Sequence, residues 1–333
     1  GDLPAHPLTN TIFLAVGAGI ASFVGTTGAS MLLIRPLLQT NSERKKVAHT
    51  VVFFIFLVSN CGGCLLPIGD PPLFLGYLRG VPFLWTLNLW REWAFVCIAL
   101  LVIYFIWDSI VYKTETAASI RRDEAIRKPL RLRGSINFLW LLCTVVVVAI
   151  VDPHKIVPGT NWSPFPYLRE LIMLAFVAIS LLTTPPGVRE VNRFNYDAIL
   201  EVAALFIGIF ITMQVPIMVL NATGDQLGLE HPWQFFWITG GLSSVLDNAP
   251  TYVVFFETAN ALTHEPGPGI IQPISGYYMR EDLLVGISHG AVFMGANTYI
   301  GNGPNFMVKA IAEHAGVKMP SFLRYMAYAV AIL

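Results

Sequence analysis

Long apolar stretches dominate the hydrophobic pattern of this chain. Four of them run from about residue 93 to 112, 136 to 151, 168 to 183 and 198 to 220. A helix needs about 20 mainly apolar residues to cross a hydrocarbon core, so the pattern predicts transmembrane helices. The composition agrees, because 55% of the residues are hydrophobic and 13% are charged, against about 25% charged in a typical soluble domain. The sequence therefore predicts an all-α membrane protein.

The positions of lysine and arginine predict how the helices are oriented. The loop 41–49 carries Arg44, Lys45 and Lys46, and segment 113–133 carries further basic residues. Basic loops are enriched on the cytoplasmic side of membranes. Segment 113–133 is also predicted to be amphipathic and to lie on the membrane surface. We therefore expect a multi-pass protein of the inner, or plasma, membrane.

Two segments do not fit simple crossings in this topology. Residues 8–38 begin and end on the predicted cytoplasmic side, and residues 233–262 begin and end outside. Each contains small or helix-breaking residues near its middle, GTTGAS at 25–30 and LDNAPT at 246–251. Both segments are therefore predicted to be re-entrant hairpins, in which one helix enters the membrane and a second returns.

A motif rich in glycine and proline follows each predicted hairpin. Residues 68–74 read IGDPPLF and residues 300–306 read IGNGPNF. Such residues at membrane depth predict broken helices, which transporters use to form binding sites. The broken helices are predicted over 47–75 and 282–317. A hairpin and a broken helix that occur twice with opposite orientation predict an inverted repeat.

The predicted organisation has three parts. Residues 1–87 form the first repeat, residues 88–221 form scaffold helices with the linker 113–133, and residues 222–333 form the second repeat. The chain begins with a glycine and ends within an apolar run. This suggests that the native start, and a last helix, are missing from it.

Two carboxylates, Asp70 and Asp247, lie in the predicted membrane interior. An ionised group there costs at least about 2.5 to 3.5 kcal/mol unless it is paired or hydrated. A site that retains two carboxylates suits a small cation or a proton. Asp70 has an alternative role as the cap of a half-helix that begins at Pro71. The two roles are compatible.

Neutral oxygen donors accompany the two carboxylates in both repeats. Sodium prefers hard oxygen ligands, which unwound helices supply as backbone carbonyls beside side-chain oxygens. Glycines allow the backbone to turn those carbonyls inward. For any single asparagine, a purely structural hydrogen bond is an equal alternative. The candidate ligands are Thr26, Thr27, Ser59, Asn60, Asn248, Thr251, Asn297, Thr298, Asn302 and Asn305, and the candidate glycines are Gly62, Gly63, Gly69, Gly301 and Gly303.

Three other polar residues in apolar surroundings call for a role. His289 could carry protons near neutral pH, although a lone membrane histidine more often only packs and forms hydrogen bonds. Arg35 and Glu257 occupy equivalent places near the ends of the two predicted hairpins. They are expected to anchor the hairpins rather than to contact substrate.

The motifs SNCGGCLLPIGDPP, LSSVLDNAPTYVVFFETA and GANTYIGNGPNF resemble those of the ion transporter superfamily. The resemblance is to its NhaD-type sodium:proton antiporter and citrate-transporter-like branch, with arsenite permeases more distant, and it covers essentially the whole chain. It implies an elevator-type secondary transporter, usually a homodimer, with a site between two hairpin tips and two unwound helices. It does not fix the substrate, because members carry cations, dicarboxylates, citrate or oxyanions.

Three classes of function remain open. Sodium:proton antiport is favoured, because no basic residue is predicted at the core of the site to offset two aspartates. Sodium- or proton-coupled uptake of citrate or another carboxylate is the alternative, and a non-transport scaffold subunit is the third. The sequence shows no enzyme motif, and its formal net charge of +0 argues against nucleic-acid binding. The expected partners are the lipid bilayer and the transported species, with sodium and protons as coupling ions and no cofactor.

Overall fold

The computed structural model describes residues 3–116, 119–120, 134–151, 163–191, 196–223, 227–263, 265–273 and 278–333. Within these residues the fold is helical, apart from one antiparallel pair of two-residue strands. The prediction for segment 113–133 falls mostly outside the described residues.

The elements follow one another in chain order. The first half contains α1 (Pro7–Val24), α2 (Thr26–Thr40), α3 (Ala48–Leu57), a 3-10 turn (Cys61–Leu65), α4 (Pro71–Leu78), a second 3-10 turn (Phe83–Leu89) and α5 (Trp90–Tyr112). The middle contains α6 (Ile136–Ile150), α7 (Leu168–Thr183), α8 (Val188–Val191), α9 (Asp197–Thr212) and α10 (Gln214–Thr223). The last part contains α11 (Pro232–Ser243), α12 (Asn248–Ala261), β1 (Ile270–Ile271), β2 (Met279–Arg280), α13 (Glu281–Met294), a 3-10 turn (Gly295–Asn297), α14 (Gly303–His314) and α15 (Phe322–Ile332).

Three stretches of the described residues are long and apolar enough to cross a membrane. They are Pro7–Val24, Ala48–Leu65 and Phe83–Tyr112, and α6 and α15 are shorter apolar helices. Large apolar side chains such as Phe95 and Ile98 are exposed on α5, as expected for a surface that faces lipid. The fold is that of an all-α membrane protein, as the apolar pattern predicts.

The chain forms two compact units. One combines residues 1–130 with 209–333, and the other covers residues 131–208. In the second unit, α6 packs against α7, and Asn137 accepts a hydrogen bond from Ser180 at 2.7 Å. The predicted site residues all belong to the first unit. The three-part division made from the sequence stays a prediction.

Each predicted hairpin is a pair of helices joined by a tight turn. The first turn is Gly25, whose φ of 81° lies in the region that favours glycine. The second turn covers residues 244–247. Both turns are shorter than predicted, because α2 begins at Thr26 and α12 begins at Asn248. Pro250 lies in the first turn of α12, where a missing N–H costs little, so LDNAPT begins a helix instead of extending the turn.

Both predicted broken helices are interrupted. After α3 the chain forms a 3-10 turn and returns to α-helix only at Pro71, and after α13 it does so at Gly303. A Cβ atom on Gly69 would collide with the carbonyl oxygen of Gly63, and one on Gly301 would collide with that of Gly295. Glycine therefore allows the close backbone approach within each break.

An ion pair joins α4 to the second helix pair. The Arg79 guanidinium donates from Nε to Glu257 Oε1 at 2.9 Å, and both side chains are largely buried. This contact is of the anchoring kind expected for Glu257. Arg35, for which an equivalent role was expected, is exposed.

Arg79→Gln is expected to lower the free energy of unfolding by about 1 to 2 kcal/mol, because Glu257 loses a charge-assisted hydrogen bond. The matched control is Arg280→Gln, which removes an exposed pair with Asp282 at 2.6 Å. That change is expected to cost less than about 0.5 kcal/mol. Denaturant unfolding in detergent measures both values. Equal losses would show that burial adds nothing to the Arg79 pair.

Candidate functional site

Asp70 lies at the centre of a buried hydrogen-bond cluster with Thr26, Asn248 and Asn302, which we call the Asp70 cluster. Each of these four residues is at most 2% exposed. Asp70 Oδ1 accepts from Thr26 Oγ1 at 2.8 Å and from Asn302 Nδ2 at 3.1 Å, and Oδ2 accepts from Asn248 Nδ2 at 2.8 Å. The donors come from both helix pairs and from the second break. These donors are all neutral.

Asp70 lies at the start of a helix, yet its carboxylate bonds to side chains and not to the helix backbone. Asp70 is the N-cap residue of α4 but makes no side-chain capping bond. A capping side chain accepts from the second or third helical N–H, and the second residue here is Pro72, which has none. Leu73 is then the only one of the two usual donors with an N–H, and the carboxylate bonds to the side-chain donors of the cluster instead.

Asp247 caps the helix that follows it, a role that the sequence predicts as an alternative for Asp70. Its Oδ1 accepts from the N–H of Ala249 at 3.0 Å at the start of α12. Thr251 donates from Oγ1 to the carbonyl oxygen of Asp247 at 2.9 Å. Thr251 thus stabilises the same helix start. Ion binding by Asp247 and Thr251 stays a prediction.

Asparagine side chains join the two breaks. Asn302 Nδ2 lies 3.1 Å from both the carbonyl oxygen of Ser59 and Asn60 Oδ1. Asn60 Nδ2 in turn donates to Asn305 Oδ1 at 2.7 Å. Asn305 Nδ2 donates at 2.9 Å to the carbonyl oxygen of Thr298. The breaks therefore meet through amide groups far apart in the sequence.

One backbone hydrogen bond occurs in both halves. At the start of α2, the N–H of Thr26 donates to the carbonyl oxygen of Gly69 at 2.8 Å, and at the start of α12, the N–H of Asn248 donates to that of Gly301 at 3.1 Å. In each half the turn of the helix pair is thus held against the break that follows it in the sequence. The first residue of each returning helix also belongs to the Asp70 cluster.

Two buried amide oxygens near the second turn have no hydrogen-bond partner within the described part of the chain. They are Asn248 Oδ1 and Asn297 Oδ1. The amide nitrogen of Asn297 donates to Ser244 Oγ at 2.9 Å, and Thr298 Oγ1 donates to the carbonyl oxygen of Ser244 at 2.6 Å. An unpaired buried acceptor is costly. A cation, or a hydroxyl group of a ligand, would satisfy it.

The other predicted oxygen ligands lie around the first break. Ser59 Oγ is 2.7 Å from Ser30 Oγ, and both residues are buried. Thr27 is half-buried, next to Thr26 at the start of α2. A Cβ atom on Gly62 would lie 2.6 Å from the carbonyl oxygen of Ala18. Ser59 therefore has a structural hydrogen bond, and Gly62 allows close packing against Ala18. Ion binding by either residue stays a prediction.

Two candidate glycines, Gly63 and Gly303, and the candidate proton carrier His289 lie in different surroundings. A Cβ atom on Gly63 would lie 2.6 Å from the methyl carbon of Thr26, whereas one on Gly303 would have open space around it. His289 is buried in α13 and stacks on Phe293, with ring centroids 4.9 Å apart. Its Nε2 has no hydrogen-bond partner among the described residues. The described bonds do not connect it to the Asp70 cluster, and proton transfer by His289 stays a prediction.

Sequence reasoning missed a second buried charge cluster. Asp108 on α5 is fully buried, and its carboxylate lies 2.5 Å from Arg44 Nη2 and 2.7 Å from His49 Nε2. Burial would lower the pKa of Arg44, but the hydrogen bond and charge of Asp108 outweigh it and raise the pKa. The signal in the sequence was an aspartate inside the apolar run 93–112.

The whole chain, residues 1–333, matches the model of a protein family described as "putative citrate transport". The match includes both breaks, both helix pairs and every residue of the Asp70 cluster. No curated protein is similar enough to the chain to be matched.

Proposed function

The chain belongs to this citrate transport family, and from that premise we propose that it is a secondary active transporter of a citrate-like carboxylate, coupled to sodium ions or protons. The observation that carries the proposal is Asp70, held by neutral donors between two broken helices. An ionised carboxylate in the membrane interior costs at least about 2.5 to 3.5 kcal/mol unless it is neutralised. A bound sodium ion or proton removes that cost, so the carboxylate suits a coupling ion.

Two unpaired oxygens support a cation site at the second turn. One belongs to Asn248, whose amide nitrogen bonds to Asp70, and the other to Asn297. Both are hard oxygen ligands, and both lie at the turn or break of the second half. We propose that these oxygens bind the coupling cation together with backbone carbonyls of the break. Glycines such as Gly301 let the break approach the turn closely.

The start of α14 supports a place for the carboxylate substrate. A helix N-terminus attracts anions through its free N–H groups. Gly303 begins α14 with a backbone N–H and has open space where a side chain would be, although Pro304 follows it. The other half-helix, α4, begins with Pro71 and Pro72, and neither has an N–H. We propose that a substrate carboxylate approaches Gly303. The charge of citrate would be offset by co-transported cations, since the Asp70 cluster contains only neutral donors.

An inverted repeat is the proposed basis of the transport cycle. The same order of helix pair, interrupted helix and second half-helix occurs twice, and the same backbone bond fixes each turn. In this proposal both helix pairs are re-entrant hairpins in a multi-pass protein of the inner membrane. An elevator-type motion of a homodimer, which the family resemblance implies, would move the site between the two sides.

Sodium:proton antiport is the second candidate. It is favoured by the neutral surroundings of Asp70, because sodium and a proton that compete for one carboxylate couple their two flows. It differs from carboxylate uptake in one respect, since it needs no organic anion.

Transport into proteoliposomes tests the proposal and separates it from antiport. With an inward sodium gradient or an imposed pH gradient, labelled citrate is expected to accumulate, and without a gradient it is expected only to equilibrate. Protein-free liposomes are the control. Proton movement with sodium alone and no citrate uptake would replace the proposal with antiport. The absence of both fluxes would contradict both candidates.

A further inference from the structure

Basic residues surround a cavity that shares no lining residue with the Asp70 cluster. This basic pocket has a volume of about 920 Å³ and is lined by Arg35, Arg44, Lys45, Lys46, His49 and Lys318, among others. Its described lining contains no aspartate or glutamate. The guanidinium of Arg44 is matched by Asp108, and Arg35 and the lysines add further positive charge to the lining. A cavity of this size and charge is suited to an anionic group.

The loop that carries two of these lysines is fixed in place. The carboxylate of Glu115 accepts the backbone N–H groups of Lys45 and Lys46, at 3.0 to 3.3 Å. The neighbouring Asn41 exchanges amide hydrogen bonds with Asn10 at 2.8 and 2.9 Å. The side chains of Lys45 and Lys46 are exposed. The loop is therefore a preformed frame that presents the lysines at the pocket.

An apolar pocket of about 310 Å³ adjoins the basic pocket, and Ala48, His49 and Lys318 line both. Its further lining is mainly apolar, with Phe53 and Met319 among others, and it also includes Arg324. The apolar membrane-spanning stretch begins at Ala48, so Phe53 lies more than one helical turn deeper in the membrane than Ala48 and His49. The basic pocket thus lies at the membrane surface, and the apolar pocket extends from it along α3.

We propose that the two pockets together bind one anionic phospholipid, with its phosphate in the basic pocket and part of an acyl chain in the apolar pocket. A charged cavity at the surface that continues into an apolar one matches the two ends of an amphiphile. Basic pockets between membrane helices bind lipid headgroups in this way. A free anion would use the basic pocket alone.

Lipid binding by the purified protein in neutral detergent tests the proposal. Phosphatidylglycerol and phosphatidylcholine with identical acyl chains are titrated, and bound lipid is measured by native mass spectrometry. The pocket variant is Lys45→Gln with Lys318→Gln. Each lysine near the surface contributes about fivefold to affinity for an anionic lipid, so the double variant is expected to bind phosphatidylglycerol about 25-fold more weakly.

The matched control is Lys113→Gln with Lys309→Gln, which removes two charges outside the lining of the basic pocket. It is expected to change phosphatidylglycerol binding less than twofold. Wild-type binding by the pocket variant, an equal loss in the control, or equally tight binding of phosphatidylcholine would each overturn the proposal. Melting temperatures without added lipid confirm that both variants are folded.

Two further measurements distinguish a bound lipid from a bound free anion. Met319→Gln makes the apolar pocket more polar, and it is expected to weaken phosphatidylglycerol binding but not binding of inorganic phosphate. Millimolar phosphate or citrate is expected to displace the lipid only weakly. Efficient displacement by either anion, together with unchanged lipid binding by Met319→Gln, would assign the pocket to a free anion and overturn the lipid assignment.

Discussion

Asp70→Asn is expected to abolish cation-coupled citrate uptake and to leave the protein folded. The substitution keeps the size of the side chain and removes the charge that would bind sodium or a proton. Three neutral donors hold the carboxylate in the structure, and no other charge in that set replaces it. Coupling would therefore be lost along with the titrating group.

The fold is expected to tolerate this change. The new amide group at position 70 would face donors on both sides, which alone would be unfavourable. Asn248 can turn its amide, because its Oδ1 has no hydrogen-bond partner in the described residues and would then accept from the new nitrogen. The removal of a buried charge offsets part of the lost hydrogen bonding. We expect the free energy of unfolding to change by less than about 1 kcal/mol.

The initial rate of labelled citrate uptake and the melting temperature check this expectation. Asp247→Asn is the matched control, because an asparagine oxygen also caps a helix and the bond to Ala249 can be kept. Uptake retained in this variant would confine Asp247 to its capping role. Uptake by Asp70→Asn at the wild-type rate would leave Asp70 a structural role only. Loss of uptake in both variants would mean that the coupling ion needs the charge of Asp247 as well as that of Asp70.

Local patterns in the sequence were enough to place the helix pairs and the breaks. The pairs predicted over 8–38 and 233–262 are observed as helices from Pro7 to Thr40 and from Pro232 to Ala261, since apolar runs and central glycine or proline residues are local signals. The breaks lie where the repeated motifs predict them. The turns were placed too broadly, because residues that break a helix in its interior are tolerated in its first turn.

Long-range pairings could not be predicted in the same way. Asn248 and Asp70 are 178 residues apart, and their contact depends on how the two helix pairs pack. The same holds for Asp108 and Arg44, whose ion pair joins α5 to the loop after α2. Periodicity shows which face of a helix is apolar, but not which partner that face will meet.

Asn302→Asp is expected to destabilise the protein and to abolish uptake. Asn302 donates to Asp70 Oδ1 at 3.1 Å, so an aspartate there places two carboxyl groups in contact, and one of them would have to hold a proton. The donor to Asn60 Oδ1 and to the carbonyl oxygen of Ser59 is lost as well. The free energy of unfolding is expected to fall by about 2 to 4 kcal/mol.

The swap Asp70→Asn with Asn302→Asp is expected to recover most of that stability and part of the uptake, because it restores one carboxylate and one amide in contact at the meeting point of the two breaks. A double-mutant cycle on the free energy of unfolding measures the coupling, which is expected to be about 1 to 3 kcal/mol in favour of the swap. Asn305→Asp is the control partner, since Asn305 bonds to Asn60 and to backbone carbonyls, and its combination with Asp70→Asn is expected to show no recovery. If the effects of Asp70→Asn and Asn302→Asp simply add, the two positions do not share a charge, and the coupling ion would have to be bound elsewhere in the breaks.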